Sequence, residues 1–288
     1  ILGVCGHVDQ TRTFAHIKKI FGALPAKRAP RFVMEIPAFH KKALLTTLSM
    51  NIAATYFDLA FPIPRLTHVD VPALDVLSHL LGESETSLLE QITKEKEQLV
   101  HSISCSAYTP KQPGLFVIGG LVDPHKMNAA LKSILRQISE VKRHSIDTEK
   151  IERTKLLAKA QLIYEKQTCE GTVRKWISYE TSLGGYRFDE TYIAAIQKIT
   201  PEDVQKAAKK YLDLSQAILV VLHPHSEKIT LNQALLKRGS HHITRFEKLQ
   251  QHSGATVYRL PNGIRVVLKE NHRLPLVAIK TASYGGLR

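Results

Sequence analysis

Histidine is the residue type in this chain that could most readily hold a metal ion. Two imidazoles one helical turn apart, with a glutamate beside one of them, can bind zinc and activate a zinc-bound water. None of the 14 histidines has that H-x-x-E-H spacing. The nearest groups are His223 with His225 and the adjacent pair His241 and His242; either could bind a metal weakly, but both lack a third ligand. We therefore predict no metal ligand and no catalytic residue in this chain, and residue type and spacing alone single out no substrate-binding residue.

The three cysteines suggest no other chemistry. Cys5, Cys105 and Cys169 lie far apart, without a C-x-x-C pair or a nearby histidine that would support a nucleophile. A disulfide framework or a zinc knuckle is therefore not indicated, and we expect buried free thiols. His7 and His68 lie at predicted strand–helix turns, where structural hydrogen bonds are the expected role. No G-x-S-x-G elbow or phosphate-binding loop is present.

The elements that would position any site are clearest between Tyr56 and Tyr108. A strand over 56–63 is predicted to end at its prolines, and Asp70 is the expected N-cap of a helix that Gly82 stops. Asp75 lies off the apolar stripe of this helix, so we expect it to face solvent. The inward positions share helical spacing: Leu74, Leu77 and Leu81, widened by Val76 and Leu80.

Two antiparallel strands and a further helix complete this unit. A helix is predicted over 86–97, with Leu88, Leu89 and Ile92 inward, and it is followed by a strand over 100–108. The segment Y-T-P-K-Q-P-G is typical of a turn, because two prolines and a glycine do not fit inside a sheet. It is expected to join this strand to the next one, over 115–122.

The sequence also repeats itself. Gly6-His7-Val8-Asp9 and Gly120-Leu121-Val122-Asp123 each follow a β-prone run and precede an amphipathic helix. Chance similarity is the alternative, because strand–turn–helix pieces are common. We interpret the repeat as two related units that meet here, with Ile1–Cys5 as a strand of the first.

The C-terminal half is mostly helical at first. Helices are predicted over 147–184 with a break at Gly171, and Trp176 is expected in the core. Thr200-Pro201-Glu202-Asp203 is a strong helix start. A buried strand over 217–222 follows, and Asn262-Gly263 is typical of a hairpin turn between later strands.

Several of these stretches resemble one family. They are the strand end F-P-I-P, the run H-x-D-V-P-A-L-D-V-L-x-x-L-L-G, the run S-L-L-E-x-I-x-x-E-K, I-T-P-E-D-V-Q, and L-P-N-G-I-R-V-V. Together they resemble the pitrilysin/insulinase family of zinc metallopeptidases, in the non-catalytic second domain of its first half. The family often has a Ser-Arg pair where this chain has Ser87-Leu88. Its non-catalytic half also supplies an Arg/Tyr pair to the active site, and the corresponding strand, 114–120, contains no arginine.

The resemblance implies an α+β fold, with a mostly antiparallel sheet covered by helices on one face and partial neighbouring units at both ends. The implied domains are 1–25 as the tail of a catalytic-type domain, 32–225 as a complete non-catalytic domain, 226–254 as a linker and 255–288 as the start of the next half. Since the first residue is Ile1, we expect a fragment of a longer protein.

The implied function is that of a chamber wall in a zinc-dependent endopeptidase that encloses and cleaves peptides, in which this part is itself inactive. Zinc would lie in the full-length protein, upstream of Ile1. The implied partners are peptide substrates and the other half of the polypeptide, with a possible dimer through the exposed termini. The alternative is an inactive relative that serves as an assembly scaffold, as in some respiratory-complex subunits.

Composition limits other classes of function. The net charge of +14 accompanies no aromatic-laced basic run, so we expect no nucleic-acid partner. On electrostatic grounds the basic surface would favour acidic peptide segments. No apolar run approaches the ~18–20 residues of a membrane helix.

Overall fold

The computed structural model describes residues 1–25, 42–183, 185–226, 229–232, 247–252, 255–259 and 265–269. The helices are α1 (Gln10–Phe21), α2 (Val71–Gly82), a π-helix (Glu90–Lys96), α3 (Met127–Arg143), α4 (Thr148–Tyr164), α5 (Cys169–Leu183), α6 (Phe188–Lys198) and α7 (Pro201–Tyr211). The strands are β1 (Leu44–Met50), β2 (Thr55–Ile63), β3 (Ser102–Tyr108), β4 (Gly114–Val122), β5 (Ile218–Pro224), β6 (Glu247–His252), β7 (Ala255–Arg259) and β8 (Arg265–Lys269).

The main sheet has five strands in the order β1-β5-β2-β4-β3. All neighbours are antiparallel except β1 and β5, which are parallel. The predicted α+β class with a mostly antiparallel sheet is therefore confirmed. Strand β2 ends at Ile63, directly before Pro64, as predicted, and it contains Pro62. Its pairing with β5 stops at Ala60, so Pro62 has a neighbouring strand on one side only.

Helix α2 is the centre of the core. It packs against β3 on one side and against α4, α6 and α7 on the others. The predicted inward stripe is buried, but so is most of the rest of the helix. The expectation that Asp75 faces solvent is wrong, because this residue is partly buried among the surrounding helices. Asp70 precedes the helix, yet its carboxylate does not cap it and instead accepts hydrogen bonds from Lys210 and Tyr211 of α7.

The helix predicted over 86–97 is mostly a π-helix. Its wider turn appears in the hydrogen bond from the Glu97 amide to the Ile92 carbonyl, five residues back. Each π turn shifts which residues face inward, so Thr93 is fully buried and Ile92 only partly. The Thr93 hydroxyl lies 3.0 Å from the Ser133 hydroxyl of α3. This buried polar pair fixes the π-helix against α3.

The break between α4 and α5 falls over 165–168, before the position predicted from Gly171. Gly171 lies inside the first turn of α5, where a Cβ would come within 2.0 Å of the Glu165 carbonyl. The glycine is therefore needed for close approach of the two helix ends. Trp176 is 38% exposed and touches Tyr186 edge-on, so its expected place in the core is also wrong.

The predicted start of α7 is confirmed as a capping box. The Thr200 hydroxyl accepts from the Asp203 amide, and the Asp203 carboxylate accepts from the Thr200 amide. Helix α7 places Val204, Ala207 and Ala208 in the core. The predicted strand over 217–222 is β5, which extends to Pro224.

The N-terminal segment packs differently from its repeat partner. Residues 1–5, predicted as a strand, pair with no strand in the described part of the chain. Asp9 caps α1 through the Arg12 amide, as expected. Helix α1 has no buried residue, and Phe14, Ile20 and Phe21 are exposed. In contrast, Leu131 and Ile134 of the matching helix α3 are buried.

A second sheet has the order β6-β7-β8. Strands β7 and β8 form the predicted antiparallel hairpin, and β6 pairs with β7 inside the stretch assigned to a linker over 226–254. Backbone hydrogen bonding to β7 makes a strand of a polar stretch whose side chains gave no strand signal. Two further β-prone runs, 32–36 and 276–279, also favour strands, and they lie outside the described residues together with the turn at Asn262-Gly263.

Candidate functional site

The candidate site is the face of the main sheet that points away from the helices, which we call the open face. Alternate residues of each strand point to opposite sides of a sheet. On one side, Phe57, Leu59, Phe61, Phe116 and Ile118 are buried against the helices. The opposite set is mostly partly exposed, so no described element closes over it. On β3 this set is Ser102, Ser104, Ser106 and Tyr108, and on the neighbouring β4 it is Leu115, Val117, Gly119 and Leu121. On β2 it is Tyr56, Asp58, Ala60 and Pro62, and on β5 it is Ile218, Val220 and Leu222.

Asp58 is the one carboxylate of the open face and lies near its centre. It is directly opposite Gly119 of β4 on one side and Val220 of β5 on the other. The carboxylate lies above Gly119, where a Cβ would be only 2.3 Å from Asp58 Oδ1. Burial against these apolar neighbours raises the pKa of Asp58. In the described part of the chain, no hydrogen-bond donor or cation pairs with this carboxylate.

The open face can therefore bind an extended chain in a specific way. Its apolar rows offer surface to alternating side chains, and Asp58 offers a negative charge to a cationic group among them. Sequence reasoning missed Asp58, although a signal was present. An aspartate in the middle of the β-prone run Y-F-D-L-A-F is out of place in a buried strand.

A second group of charges lies on the helix side and pairs internally. His79 Nε2 is 3.0 Å from Glu83 Oε2, and the Ser78 hydroxyl donates to Glu83 Oε1 at 2.7 Å. Burial lowers the pKa of His79, against the opposing effect of Glu83. Burial raises the pKa of Asp75 well above its ordinary value, and Glu83 raises it further while Lys175 lowers it. Ser78, His79 and Glu83 therefore satisfy one another, whereas the Asp75 carboxylate lies beside them without a hydrogen bond in the described part of the chain.

A cavity of about 300 Å³ opens beside the end of the π-helix. Its charged lining is already paired. His101 Nε2 lies 2.9 Å from Asp123 Oδ1, and Lys126 Nζ lies 3.4 Å from Asp123 Oδ2. Lys94, the other lysine of the lining, pairs with Glu90. The cavity thus presents no unpaired charge to a ligand.

The structure places the histidines singled out above at separate positions. His223 Nδ1 lies 3.0 Å from the Pro224 carbonyl, and His225 Nδ1 lies 2.7 Å from the Ser49 hydroxyl. His68 accepts a hydrogen bond from the Asp70 amide, which is the structural role predicted for it. His7 is exposed and makes no hydrogen bond within the described residues. His241 and His242 lie outside these residues.

Zinc, which the family resemblance implies for the whole protein, does not fit the residues at hand. Within the described ranges, no three His, Cys, Asp or Glu side chains come together as a metal site. We assign no zinc-dependent step to this chain. The open face also lacks lysine and arginine, so the positive charge expected to favour acidic peptides lies elsewhere. Among the described helices, none is long and apolar enough to cross a membrane.

The sequence model of the peptidase M16 inactive domain matches residues 1–157, which is more than half of the chain. The chain belongs to the peptidase M16 inactive-domain family. The resemblance to the pitrilysin/insulinase metallopeptidases is thereby confirmed.

Curated relatives of this M16 domain include two zinc proteases and a subunit of the cytochrome b-c1 complex. The zinc protease PqqE of Helicobacter pylori is 24% identical over 232 residues, which cover 78% of this chain and 51% of that protein. The uncharacterized zinc protease YmxG of Bacillus subtilis is 21% identical, and the match covers 77% of this chain and 53% of that protein. Rat mitochondrial cytochrome b-c1 complex subunit 2 is 25% identical over 153 residues, covering 50% and 34%. The chain thus spans about half the length of the curated proteases it matches.

Solved structures agree on the fold. A protease from Helicobacter pylori superposes with a TM-score of 0.69 at 22% identity, over 76% of this chain and 54% of that one. A peptidase M16 inactive domain from Pseudomonas fluorescens superposes with a TM-score of 0.66 at 18% identity, over 79% of this chain and 54% of that one. At the position of the family's Ser-Arg pair, Ser87 is buried and Leu88 packs against the core. An apolar contact therefore replaces that arginine.

Proposed function

We propose that this chain forms the non-catalytic wall of a peptide-binding chamber in a zinc-dependent endopeptidase. The open face carries the proposal, because it is a partly exposed, largely apolar sheet surface in a domain whose opposite face is fully packed. A peptide in extended form would lie against this face, and its cationic side chains would be drawn to Asp58. The wall binds and orients the peptide and does not cut it.

The domain organisation belongs to the same proposal. Residues 1–25 are the tail of a preceding catalytic-type domain, 32–225 the complete non-catalytic domain, and 255–288 the start of the second half. The zinc site of the whole protein lies before Ile1. Two observations support this order: α1 exposes its apolar residues, and the curated proteases are about twice as long as the matched region.

The test compares two arginine substitutions in the full-length protein. Val117→Arg places a charge on the open face, and Leu156→Arg places one on α4, where the leucine is 66% exposed. We expect Val117→Arg to lower kcat/KM for a fluorogenic peptide by about tenfold or more through KM, with the zinc content unchanged. Leu156→Arg should leave kcat/KM and the zinc content as they are in the parent protein. Equal effects of the two substitutions would contradict the role of the open face.

The 288-residue chain alone provides a second test. It should contain no stoichiometric zinc by elemental analysis and should not cleave peptides. One tightly bound zinc per purified chain would overturn the assignment of the metal to another part of the protein.

The alternative function is that of an assembly scaffold without proteolytic activity. The similarity to cytochrome b-c1 complex subunit 2 favours it. In that case the full-length protein would lack H-x-x-E-H, and it would copurify with other subunits in a stable complex. Val117→Arg would then weaken assembly instead of peptide turnover.

A further inference from the structure

The N-terminal segment lies directly on helix α5. The backbone at Gly3 approaches so closely that a Cβ there would come within 2.6 Å of Val173 Cγ2 and 2.9 Å of Ile177 Cδ1. A side chain at position 3 would therefore have to displace the Val173 and Ile177 side chains or move the segment away from α5. The segment is thus held against one face of α5 although it pairs with no described strand.

The same contact brings Cys5 to Cys169. Cys5 follows Gly3 by two residues, and Cys169 precedes Val173 by about one turn of α5. The neighbourhood of Cys5 and Cys169 therefore lies about one helical turn from the contact between Gly3 and Val173. Burial raises the pKa of the Cys5 thiol and its neighbour Cys169 raises it further, and both thiols are free.

The surroundings of the two thiols suit a reaction with a solute. Cys169 is exposed and Cys5 is partly buried, whereas Cys105 is buried beneath α2. Cys169 begins α5, and the turn before it is fixed by hydrogen bonds from the Gly171 amide to Thr168 Oγ1 and from Thr172 Oγ1 to the Lys166 carbonyl. The Cys169 backbone is therefore fixed before any reaction.

We propose that Cys5 and Cys169 form a reversible disulfide bond that fastens the N-terminal segment to α5. The co-reactant is a small-molecule disulfide. The Cys169 thiolate attacks one of its sulfur atoms, forms a mixed disulfide and releases one small thiol. The Cys5 thiolate then attacks Cys169 Sγ, forms the protein disulfide and releases the second small thiol. Two protein thiols lose two electrons in total, and the two small thiols released carry the electrons and the two protons.

This bond would make the position of α1 depend on the redox state. In the reduced form only the packing of residues 1–5 holds the segment on α5. In the oxidised form a covalent bond closes the long loop between the two cysteines. The inference does not rest on the chamber-wall function, because it concerns a different surface.

The experiment is a thiol count and a peptide map of the 288-residue chain after incubation with oxidised glutathione. The three free thiols should fall to one, with a mass loss of about 2 Da per chain. A non-reduced tryptic digest should contain residues 1–12 linked to residues 167–174, while the Cys105 peptide, 97–111, stays free. Three remaining thiols, a link to 97–111 or disulfides only between chains would each overturn the proposal.

Two variants separate this geometry from ordinary thiol reactivity. In Cys5→Ser, glutathione should remain on Cys169 as a mixed disulfide, at least about tenfold more abundant than in the parent chain. Gly3→Val keeps both cysteines but displaces the segment from α5, so disulfide formation should slow by about tenfold or more. Gly185→Val is the matched control, because a Cβ there meets nothing within 4 Å. Equal rates for Gly3→Val and the parent would show that the packing does not bring the thiols together.

Discussion

Asp75 and Asp58 are carboxylates whose surroundings oppose their charge. Burial raises the pKa of both, and for Asp75 the neighbouring Glu83 adds to the effect. A folded protein that raises the pKa of a carboxyl group binds its proton more tightly than the unfolded chain does. Each ionised carboxylate therefore costs stability at neutral pH.

Asp75→Asn should raise the free energy of unfolding at pH 7 by about 1–2 kcal/mol. The penalty on the charge is absent below the ordinary carboxyl pKa of about 4, and it grows as the pH rises towards the raised folded-state value. The difference between the variant and the parent should therefore vanish near pH 4. Urea denaturation at the two pH values measures it.

Glu85→Gln is the control for this prediction, because Glu85 is an exposed carboxylate. It should change stability by less than about 0.5 kcal/mol at either pH. A loss of stability in Asp75→Asn at pH 7 would show that attraction to Lys175 outweighs burial.

At the scale of elements, the distance between α2 and β3 is set by one glycine. A Cβ at Gly82 would meet Cys105 Cβ at 2.6 Å and the Cys105 backbone nitrogen at 2.8 Å. Gly82→Ala should therefore push the end of α2 away from the strand and cost about 1–3 kcal/mol. Thermal unfolding of Gly82→Ala and Gly185→Ala tests this, because position 185 has open space and should tolerate the methyl group. If Gly82→Ala leaves the stability unchanged, the end of α2 can move away from β3 without a loss of stability.

The capping box of α7 gives a prediction of smaller size. Thr200→Ala removes the hydroxyl that accepts from the Asp203 amide, and it should cost about 1 kcal/mol. Thr67→Ala is a matched change at an exposed threonine outside the described helices and should cost less than about 0.5 kcal/mol. Chemical denaturation of both variants gives the comparison. Equal losses would show that the cap contributes nothing beyond ordinary threonine packing.

Features determined by neighbouring residues could be predicted from the sequence. The stripe of α2, the capping box at Thr200 and the turn between β3 and β4 depend on local spacing and turn chemistry. The burial of Asp75 and the exposure of Trp176 depend on which distant helices pack beside them, so periodicity placed both wrongly. The π turns at 90–96 and the contact of Cys5 with Cys169 likewise come from tertiary packing. Asp58 was visible in the sequence only as an anomaly, since its face depends on sheet register.

For the whole molecule, the exposed apolar surface of α1 is the feature that most needs a binding partner. Phe14 is 66% and Phe21 48% exposed, on a helix without a buried residue. An apolar surface of this kind favours contact with another chain. We expect the 288-residue chain to self-associate through its termini, and changing both phenylalanines to glutamate should shift it towards monomer.

Sedimentation velocity over a range of concentrations measures this association. Leu156→Glu is the control, because this leucine is as exposed as Phe14 but lies on a different helix, α4. If the parent chain is monomeric at all concentrations, the termini do not form a dimer. Removal of residues 255–288 shows whether the C-terminal segment takes part.

The strand order has a consequence for how the domain comes into being. Strand β5 is the last strand of the main sheet in the sequence, yet it lies between the first two, β1 and β2. During synthesis β5, the only described strand that pairs with β1, is made roughly ten to thirty seconds after β1. Strands β3 and β4, which form a hairpin, can pair with β2 earlier. The pairing of β1 with β5 is slow, because the two strands are far apart in the sequence. The sheet is completed only when its final strand is inserted, so a chain that stops before Ile218 is expected to be held by chaperones or degraded, not to persist as a smaller stable domain.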